Sequence, residues 1–272
     1  MDAQLQKRIQ RYGWDKAASY YEQYWQQQLE PAQTELLNMI VPGKGEYVLD
    51  VACGTGLLDF KISEMVGSSG KVHGTDISEG MIEIAKKSAK DLGINTVSFE
   101  RMEAEELNII NSKYDIALCS LGLMYVPDAQ KAIQELFRVL KPGGRAGVAV
   151  WGKRSNCGWA EIFPIVDKRV TSDVCPLFFQ LGTGNTLQLV LKNAGFINIV
   201  SKRINTILHY ASKEEACKAA FIGGPVAMAY SRFTEETKKE AHKEYIHSIK
   251  SFKKRNNYFI PGEFVITMGY KS

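Results

Sequence analysis

The stretch Tyr47-Val48-Leu49-Asp50-Val51-Ala52-Cys53-Gly54-Thr55-Gly56 opens on a short apolar run, closes on small residues, and passes directly into a helical pattern. A strand that runs through a glycine-containing turn into a helix is the first unit of a parallel α/β sheet. Small residues in such a turn let a ligand approach the backbone. The same alternation continues outward from this stretch. Further strands are predicted at 71–75, 96–99, 114–119 and 145–150. Met81, Ile82, Ala85 and Ala89 fall on one helical face over 78–91, and Ile133, Leu136 and Leu140 do so over 129–140. Lys141-Pro142-Gly143-Gly144 predicts a tight helix-to-strand turn, because proline cannot extend the helix and glycine accepts positive φ.

Beyond Trp151 the alternation lapses. It resumes with a helix at 187–193, then Ala194-Gly195-Phe196 leads into a strand through Ile204. A helical stretch follows from Lys213 to Lys250, interrupted by Gly223-Gly224-Pro225-Val226-Ala227, and a last strand runs from Glu263 to Tyr270. The expected fold is α/β: a doubly wound, Rossmann-like, mostly parallel seven-stranded sheet with helical cap insertions in the C-terminal half. The expected division is an N-terminal helical lid (1–45), a core (46–205 plus 262–272, with an insertion at 153–183) and a helical substrate cap (206–261).

Composition bounds the function. With 272 residues and 45% hydrophobic content, the chain can bury a substantial core. No apolar run approaches the roughly 18 residues of a membrane span, and Met1-Asp2-Ala3-Gln4 has no signal-peptide core, so a cytoplasmic protein is expected. The five cysteines, at 53, 119, 157, 175 and 217, form no C-x-x-C pair and read as reduced thiols. Residues 201–272 hold 13 Lys/Arg against 7 Asp/Glu, which places the basic excess of the chain there. Lys250, Lys253, Lys254 and Arg255 read as a solvated helix end rather than a nucleic-acid track. His73 reads as structural, His242 and His247 as exposed, and no metal site is expected.

The chemistry lies at the strand ends. Asp76 closes the second strand, 20 residues after Gly56, where a carboxylate can accept both hydrogen bonds of a ribose diol. Dinucleotides and S-adenosylmethionine both fit that outline. The dinucleotide fingerprint asks for a small residue where this chain has Asp59, and Asp50 beside the loop opposes a pyrophosphate but attracts an ammonium or sulfonium. Met102-Glu103-Ala104-Glu105 supplies a carboxylate able to accept from an adenine amino group.

Residues 12–151 resemble class I S-adenosylmethionine-dependent methyltransferases of the ubiquinone and menaquinone C-methyltransferase type. The likeness runs through Asp50 to Gly56, Asp76-Ile77-Ser78 with Met81, Glu103-Ala104, Tyr114-Asp115, Ser120-Leu121-Gly122-Leu123, and Arg138 to Gly144. The resemblance implies that Ala52, Gly54, Thr55 and Gly56, with Asp50 nearby, line the methionine half of S-adenosyl-L-methionine. It implies Asp76 at the ribose, Ile77 and Met81 at the adenine face, Glu103 and the Ala104 N–H at the adenine edge, and Ser120 beside the amino-acid end. Family members usually carry Gly at position 52 and Asp or Asn at 103. The segment Trp14-Asp15-Lys16-Ala17-Ala18-Ser19-Tyr20-Tyr21-Glu22 is similar to the family's lid, with Tyr21 as its tyrosine.

The expected activity is transfer of a methyl group to a small-molecule acceptor. Positioning the acceptor against the methyl carbon supplies much of the acceleration, so no catalytic triad is required. His209, Tyr125 and Asp128 are the candidate bases, and none is assigned as catalytic. Cys157 and Cys175 flank a loop, where a thiophilic acceptor competes with plain buried thiols. Trp159, Phe163, Phe178, Phe179, Phe221 and Tyr230 read as an apolar acceptor pocket or as cap core. The competing functions are a non-catalytic S-adenosylmethionine-binding module, a nucleic-acid methyltransferase, and a nicotinamide oxidoreductase. Ser120-Leu121-Gly122-Leu123 disfavours amino-base methylation, and nothing signals a nicotinamide pocket.

Overall fold

The computed structural model describes residues 3–171, 175 and 177–272. The first two residues of the segment 1–45 and four residues of the insertion 153–183 lie outside the described residues. Five parallel strands form the first part of the sheet: β1 (Tyr47–Val51), β2 (Lys71–Asp76), β3 (Val97–Arg101), β4 (Tyr114–Ser120) and β5 (Leu140–Trp151). β6 (Ile197–Tyr210), β7 (Lys253–Lys254) and β8 (Asn257–Tyr270) complete it, in the order β3-β2-β1-β4-β5-β8-β6 with β7 paired on β8. β8 lies antiparallel to β5 and β6. The sheet therefore has eight strands where seven were expected. The extra strand is the two-residue β7, too short to leave a pattern in sequence.

Four of the five residues of β1 are buried, as a parallel strand covered on both faces requires. Its strand order reverses between β1 and β4, so the loops after these two strands diverge and leave a crevice at their carboxyl ends. The helices that bound the crevice begin with specific caps. α2 (Leu57–Val66) follows Gly56 at φ 84°, and α3 (Glu79–Asp91) starts where the Ser78 hydroxyl accepts from the Met81 N–H. α4 (Ala129–Val139) starts at Asp128, which accepts from the Lys131 N–H.

Lys141 to Gly144 do not separate α4 from β5 as expected. Leu140 already pairs with Tyr114, and Arg145 pairs with Ile116, so the four residues form a bulge inside the strand. Gly143, at φ 76°, donates its N–H to the Lys271 carbonyl at 2.9 Å, and Lys271 donates to the Gly144 carbonyl at 2.8 Å. The turn is held from the far end of the chain.

α5 (Ile162–Asp167) and α6 (Thr186–Asn193) precede β6. The predicted 213–250 helix is three helices, α7 (Lys213–Phe221), α8 (Ala227–Tyr230) and α9 (Glu235–Ser248), broken at Gly223-Gly224-Pro225. The β6–β8 ladder pairs Thr206 with Gly262 and continues to Tyr210 with Tyr258, so the paired ribbon crosses the boundaries at 206 and 261.

The N-terminal segment is one helix, α1 (Ala3–Ile40), of 38 residues. Its last part belongs to the core: Leu36 and Ile40 are fully buried, and a Cβ built on Gly147 of β5 would stand 2.8 Å from Leu36. Its first part crosses the carboxyl edge of the sheet above the crevice, with Lys7, Gln10, Trp14 and Tyr21 among the crevice's lining residues.

Candidate functional site

The crevice is a cleft built from the loops after β1, β2, β3 and β4 and roofed by α1. Of the expected cofactor residues, Tyr21, Ala52, Gly54, Asp76, Ile77, Met81, Glu103, Ala104 and Ser120 line it. Asp50, Thr55 and Gly56 do not. Asp50 and Thr55 are buried behind the wall, and Gly56 is packed so tightly that a Cβ there would stand 2.8 Å from the Phe99 ring.

The loop after β1 holds Ala52 at φ 61° and Gly54 at φ 58°, left-handed conformations that turn backbone toward the ligand space. It is tied to β2 twice: the Cys53 N–H donates to the Thr75 carbonyl at 3.0 Å, and the Gly54 N–H donates to Asp76 Oδ2 at 2.9 Å. Asp76 Oδ1 accepts from the Ser78 N–H at 2.9 Å. Each carboxylate oxygen thus accepts from backbone, and the Ile77 N–H adds a weaker contact. Burial raises the Asp76 carboxyl to about 6, and the backbone N–H groups of Ser78 and Gly54 moderate the rise.

Asp50 and Asp59 lie together beneath the loop, at 1% and 0% exposure. The two carboxyls share a hydrogen bond that favours the proton on Asp59 and the charge on Asp50. Burial raises both carboxyls, with Asp76 adding to the rise of Asp50 and Asp50 to that of Asp59.

At the other end of the cleft Lys7 bridges Glu103 at 2.8 Å and also pairs with Glu105. Asp15 accepts from the Ser78 hydroxyl at 2.6 Å and from the Gly80 N–H at 3.0 Å. These contacts pin α1 over the cleft at two points. Lys7 was not legible, because nothing in its local sequence says which turn of a long helix meets the β3 loop. Glu105 lay in the quoted motif, and its role as the partner of Lys7 and of the Asp128 N–H, at 2.8 Å, depends on the fold.

The donor set fits a ligand with a ribose and a cationic amino-acid end. Asp76 offers acceptors for a diol, Ile77 and Met81 offer an apolar wall, and Ser120 Oγ is buried without a partner among the described residues. A pyrophosphate does not fit, since three carboxyls surround the loop and the one Lys or Arg among the described lining residues, Lys7, is held by acids. Among the described residues there is no cluster of three or more potential metal ligands, and no helix long and apolar enough to cross a membrane.

A second, smaller cavity adjoins the cleft. The two share Trp14, Tyr21, Leu121 and Tyr125, and Trp25, Leu29, Met124, Trp151, Trp159 and Pro225 complete the second. Of the three candidate bases Tyr125 alone reaches it, and burial keeps its phenol well above the ordinary range, hence protonated. His209 is exposed and lies 4.9 Å from the Phe259 ring, while Asp128 caps α4. Phe163, Phe178, Phe179, Phe221 and Tyr230, grouped with Trp159 from sequence, do not line the chamber. Phe163 and Phe178 stack on each other at 4.7 Å, and Phe221 packs on Tyr230 at 5.0 Å as cap core. Cys157 and Cys175 are buried free thiols raised by burial, and Cys175 Sγ accepts from the Gln10 amide at 3.4 Å.

A family model, the ubiE/COQ5 methyltransferase family, matches residues 25–174. Aklanonic acid methyltransferase from a Streptomyces species is 34% identical over 144 residues, covering 53% of this chain and 65% of that protein. Demethylmenaquinone methyltransferase from Oceanobacillus iheyensis is 42% identical over 101 residues, covering 37% and 42%. The chain thus spans about half the length of these curated relatives. A solved structure of phosphoethanolamine N-methyltransferase 2 from Haemonchus contortus, in complex with S-adenosyl-L-methionine, superposes with a TM-score of 0.61. It is 16% identical, with 94% of this chain and 57% of that one covered, a likeness of fold.

Proposed function

Because the chain belongs to the ubiE/COQ5 methyltransferase family, its cofactor is S-adenosylmethionine, and we propose that it transfers the methyl group to a small organic acceptor. One observation carries this reading: the cleft and the aromatic chamber share the wall of Trp14, Tyr21, Leu121 and Tyr125, so ligands in the two spaces meet there. When bound, S-adenosylmethionine supplies an electrophilic methyl group on sulfur.

In our reading the chain's own residues bind and orient. Asp76 accepts from the ribose hydroxyls beside its backbone contacts, and Ile77 and Met81 flank the adenine. Glu103 accepts from the adenine amino group while shared with Lys7, and the Ala104 N–H donates to the ring. Ala52, Gly54 and Ser120 take the amino-acid end, with Thr55 and Gly56 shaping the loop and the Asp50 carboxyl attracting the ammonium from behind. Tyr21 closes the roof. Among the described residues no Asp, Glu, His, Lys or Arg lines the chamber, so acceleration comes from holding an intrinsically nucleophilic acceptor and excluding water.

The acceptor is a small molecule rather than nucleic acid in this reading, because the basic cluster Lys250, Lys253, Lys254 and Arg255 lies around β7 and not in the cleft lining. Five buried free thiols suit a reducing cytoplasm. Calorimetry with S-adenosylhomocysteine and NAD, followed by transfer of labelled methyl to a panel of quinols, phenols, amines and thiols, tests the proposal. Binding of NAD with comparable affinity would sink the cofactor site. Binding of the sulfur nucleotide with no transfer to any acceptor would leave a binding module.

A further inference from the structure

Glu105 belongs to the loop after β3 and touches both the roof and the loop after β4. It is only 4% exposed. Its Oε1 accepts from the Asp128 N–H at 2.8 Å, and its other oxygen pairs with the Lys7 ammonium of α1. Lys7 reaches at the same time to Glu103 Oε2, at 2.8 Å. A carboxylate taken out of water must be paired and hydrogen-bonded. Glu105 draws one partner from the roof and one from the loop after β4, so neither can leave without stranding its charge.

A second contact joins the same two elements. The Trp14 ring of α1 meets the Tyr125 ring edge-on, with centroids 5.2 Å apart. Tyr125, Val126 and Pro127 line the cleft, and Asp128 caps α4 by accepting from the Lys131 N–H at 2.9 Å. The stretch from Tyr125 to Asp128 is thus fastened to α1 at both ends, by an aromatic contact at one and by the relay of Lys7 and Glu105 at the other. Glu103, at the far end of the relay, stands in a different setting. It lines the cleft with its side chain 41% exposed, and Lys7 engages its Oε2.

We propose that Glu105 is a positioning residue: through Lys7 it holds Glu103 as the acceptor for the adenine amino group, and through the Asp128 N–H it couples that recognition to the 125–128 wall of the cleft. This rests on the reading that places adenine at Glu103. Lys7 shares one ammonium between two carboxylates, so whatever moves it is felt at both. An amino group arriving at Glu103 donates to a carboxylate already ionised and oriented, and the relay stays intact. A base with a carbonyl in that place sets acceptor against acceptor at Glu103. It also draws the Lys7 ammonium toward itself and away from Glu105, which loosens the wall.

The test uses the full chain and two ligands, S-adenosylhomocysteine and S-inosylhomocysteine, whose base presents a carbonyl and a ring N–H where adenine has its amino group and a bare ring nitrogen. The ring N–H opposes the Ala104 N–H in parent and variants alike, so the change in preference between proteins is what is read. By calorimetry the parent should favour the adenine ligand at least about tenfold. Glu105→Gln keeps an oxygen for the Asp128 N–H and removes only the charge that holds Lys7, and it should cut the preference about fivefold. Lys7→Met, which breaks the relay from the roof, should do the same. Glu105 itself lines the cleft, and the double variant separates action through Lys7 from direct contact: once Lys7 is gone, Glu105→Gln should change the preference no further. A second readout is hydrogen exchange of the amides at 125–131 under saturation, which the adenine ligand should slow more than the inosine ligand in the parent and equally in Glu105→Gln. A Glu105→Gln variant that weakens both ligands alike, an undiminished effect in the Lys7→Met background, or parent exchange blind to the base would overturn the proposal and leave Glu105 a plain structural contact. A parent without preference, or a preference that survives Glu103→Ala, would instead overturn the placement of adenine at Glu103, and the relay with it.

Discussion

Ala52 and Gly122 meet across the cleft floor so closely that a Cβ on Gly122 would stand 2.2 Å from that of Ala52. Ala52 holds a left-handed φ of 61°, a conformation glycine adopts more readily, and related enzymes usually have glycine there. Gly122→Ala should therefore lower the unfolding free energy by about 1–3 kcal/mol. Ala52→Gly alone should stay within about 1 kcal/mol of the parent, relieved strain offsetting added chain entropy. The double variant should recover most of the loss. Denaturant unfolding of all four proteins measures the coupling, and a double variant no better than Gly122→Ala would contradict it.

Asp76 joins two tasks, because the carboxylate that faces the ribose space also anchors the Gly54 and Ser78 N–H groups. Asp76→Ala should weaken S-adenosylhomocysteine binding by about 1–3 kcal/mol and lower the melting temperature as well. Asp76→Asn, which keeps one acceptor oxygen, should be milder on both counts. Calorimetry and thermal unfolding separate the effects. Parent-like affinity in both variants would remove Asp76 from the ribose site.

The parts of this site that were legible in sequence share one property: their structure is decided within about a dozen residues. The β1 run, the glycines after it and the Ser78 cap of α3 each act on near neighbours, and all lie where the alternation predicts. What was not legible depends on distant pairing. The Lys141 to Gly144 bulge is held by Lys271, and Lys7 reaches Glu103 only because the far end of α1 docks on β5. The chamber shows the same division. Trp25, Trp151 and Trp159 come from α1, β5 and the following loop, whereas the phenylalanines near Trp159 in sequence pack on each other. Nearness along the chain grouped aromatics that the fold divides between the chamber and the cap core.

The roof over the cleft should respond to its two anchors. Lys7→Met leaves Glu105, whose side chain is 5% exposed, without its cation, and Asp15→Ala frees Ser78 and Gly80 from α1. Amides at 3–20 should exchange hydrogen faster in both variants than in the parent, and S-adenosylhomocysteine should slow that exchange in the parent. Dissociation of the nucleotide should speed up several-fold. Exchange that ignores both substitutions and the ligand would show that the first turns of α1 do not close the site.

The carboxyls beneath the loop make binding depend on pH in a stated direction. Asp76 sits at about 6 against an ordinary 3.8, raised by burial, and Asp50 and Asp59 are raised by burial and by their acidic neighbours. The unfolded chain releases these protons at lower pH than the folded one. The stability they contribute to the ligand-free protein is therefore fully present below about pH 4, and for Asp76 it is lost as pH rises through about 6. A ligand with an ammonium group reverses the balance, since it favours the ionised carboxylates. Affinity for S-adenosylhomocysteine should accordingly rise between about pH 5 and 8, with protons released on binding. Titrations in buffers of different ionisation enthalpy count those protons directly. Asp59→Leu removes the hydrogen bond that lowers the Asp50 carboxyl and should make Asp50 harder to ionise, shifting the affinity curve to higher pH. A pH-independent affinity, or proton uptake in place of release, would show that the buried carboxyls are not coupled to the cofactor's cationic end.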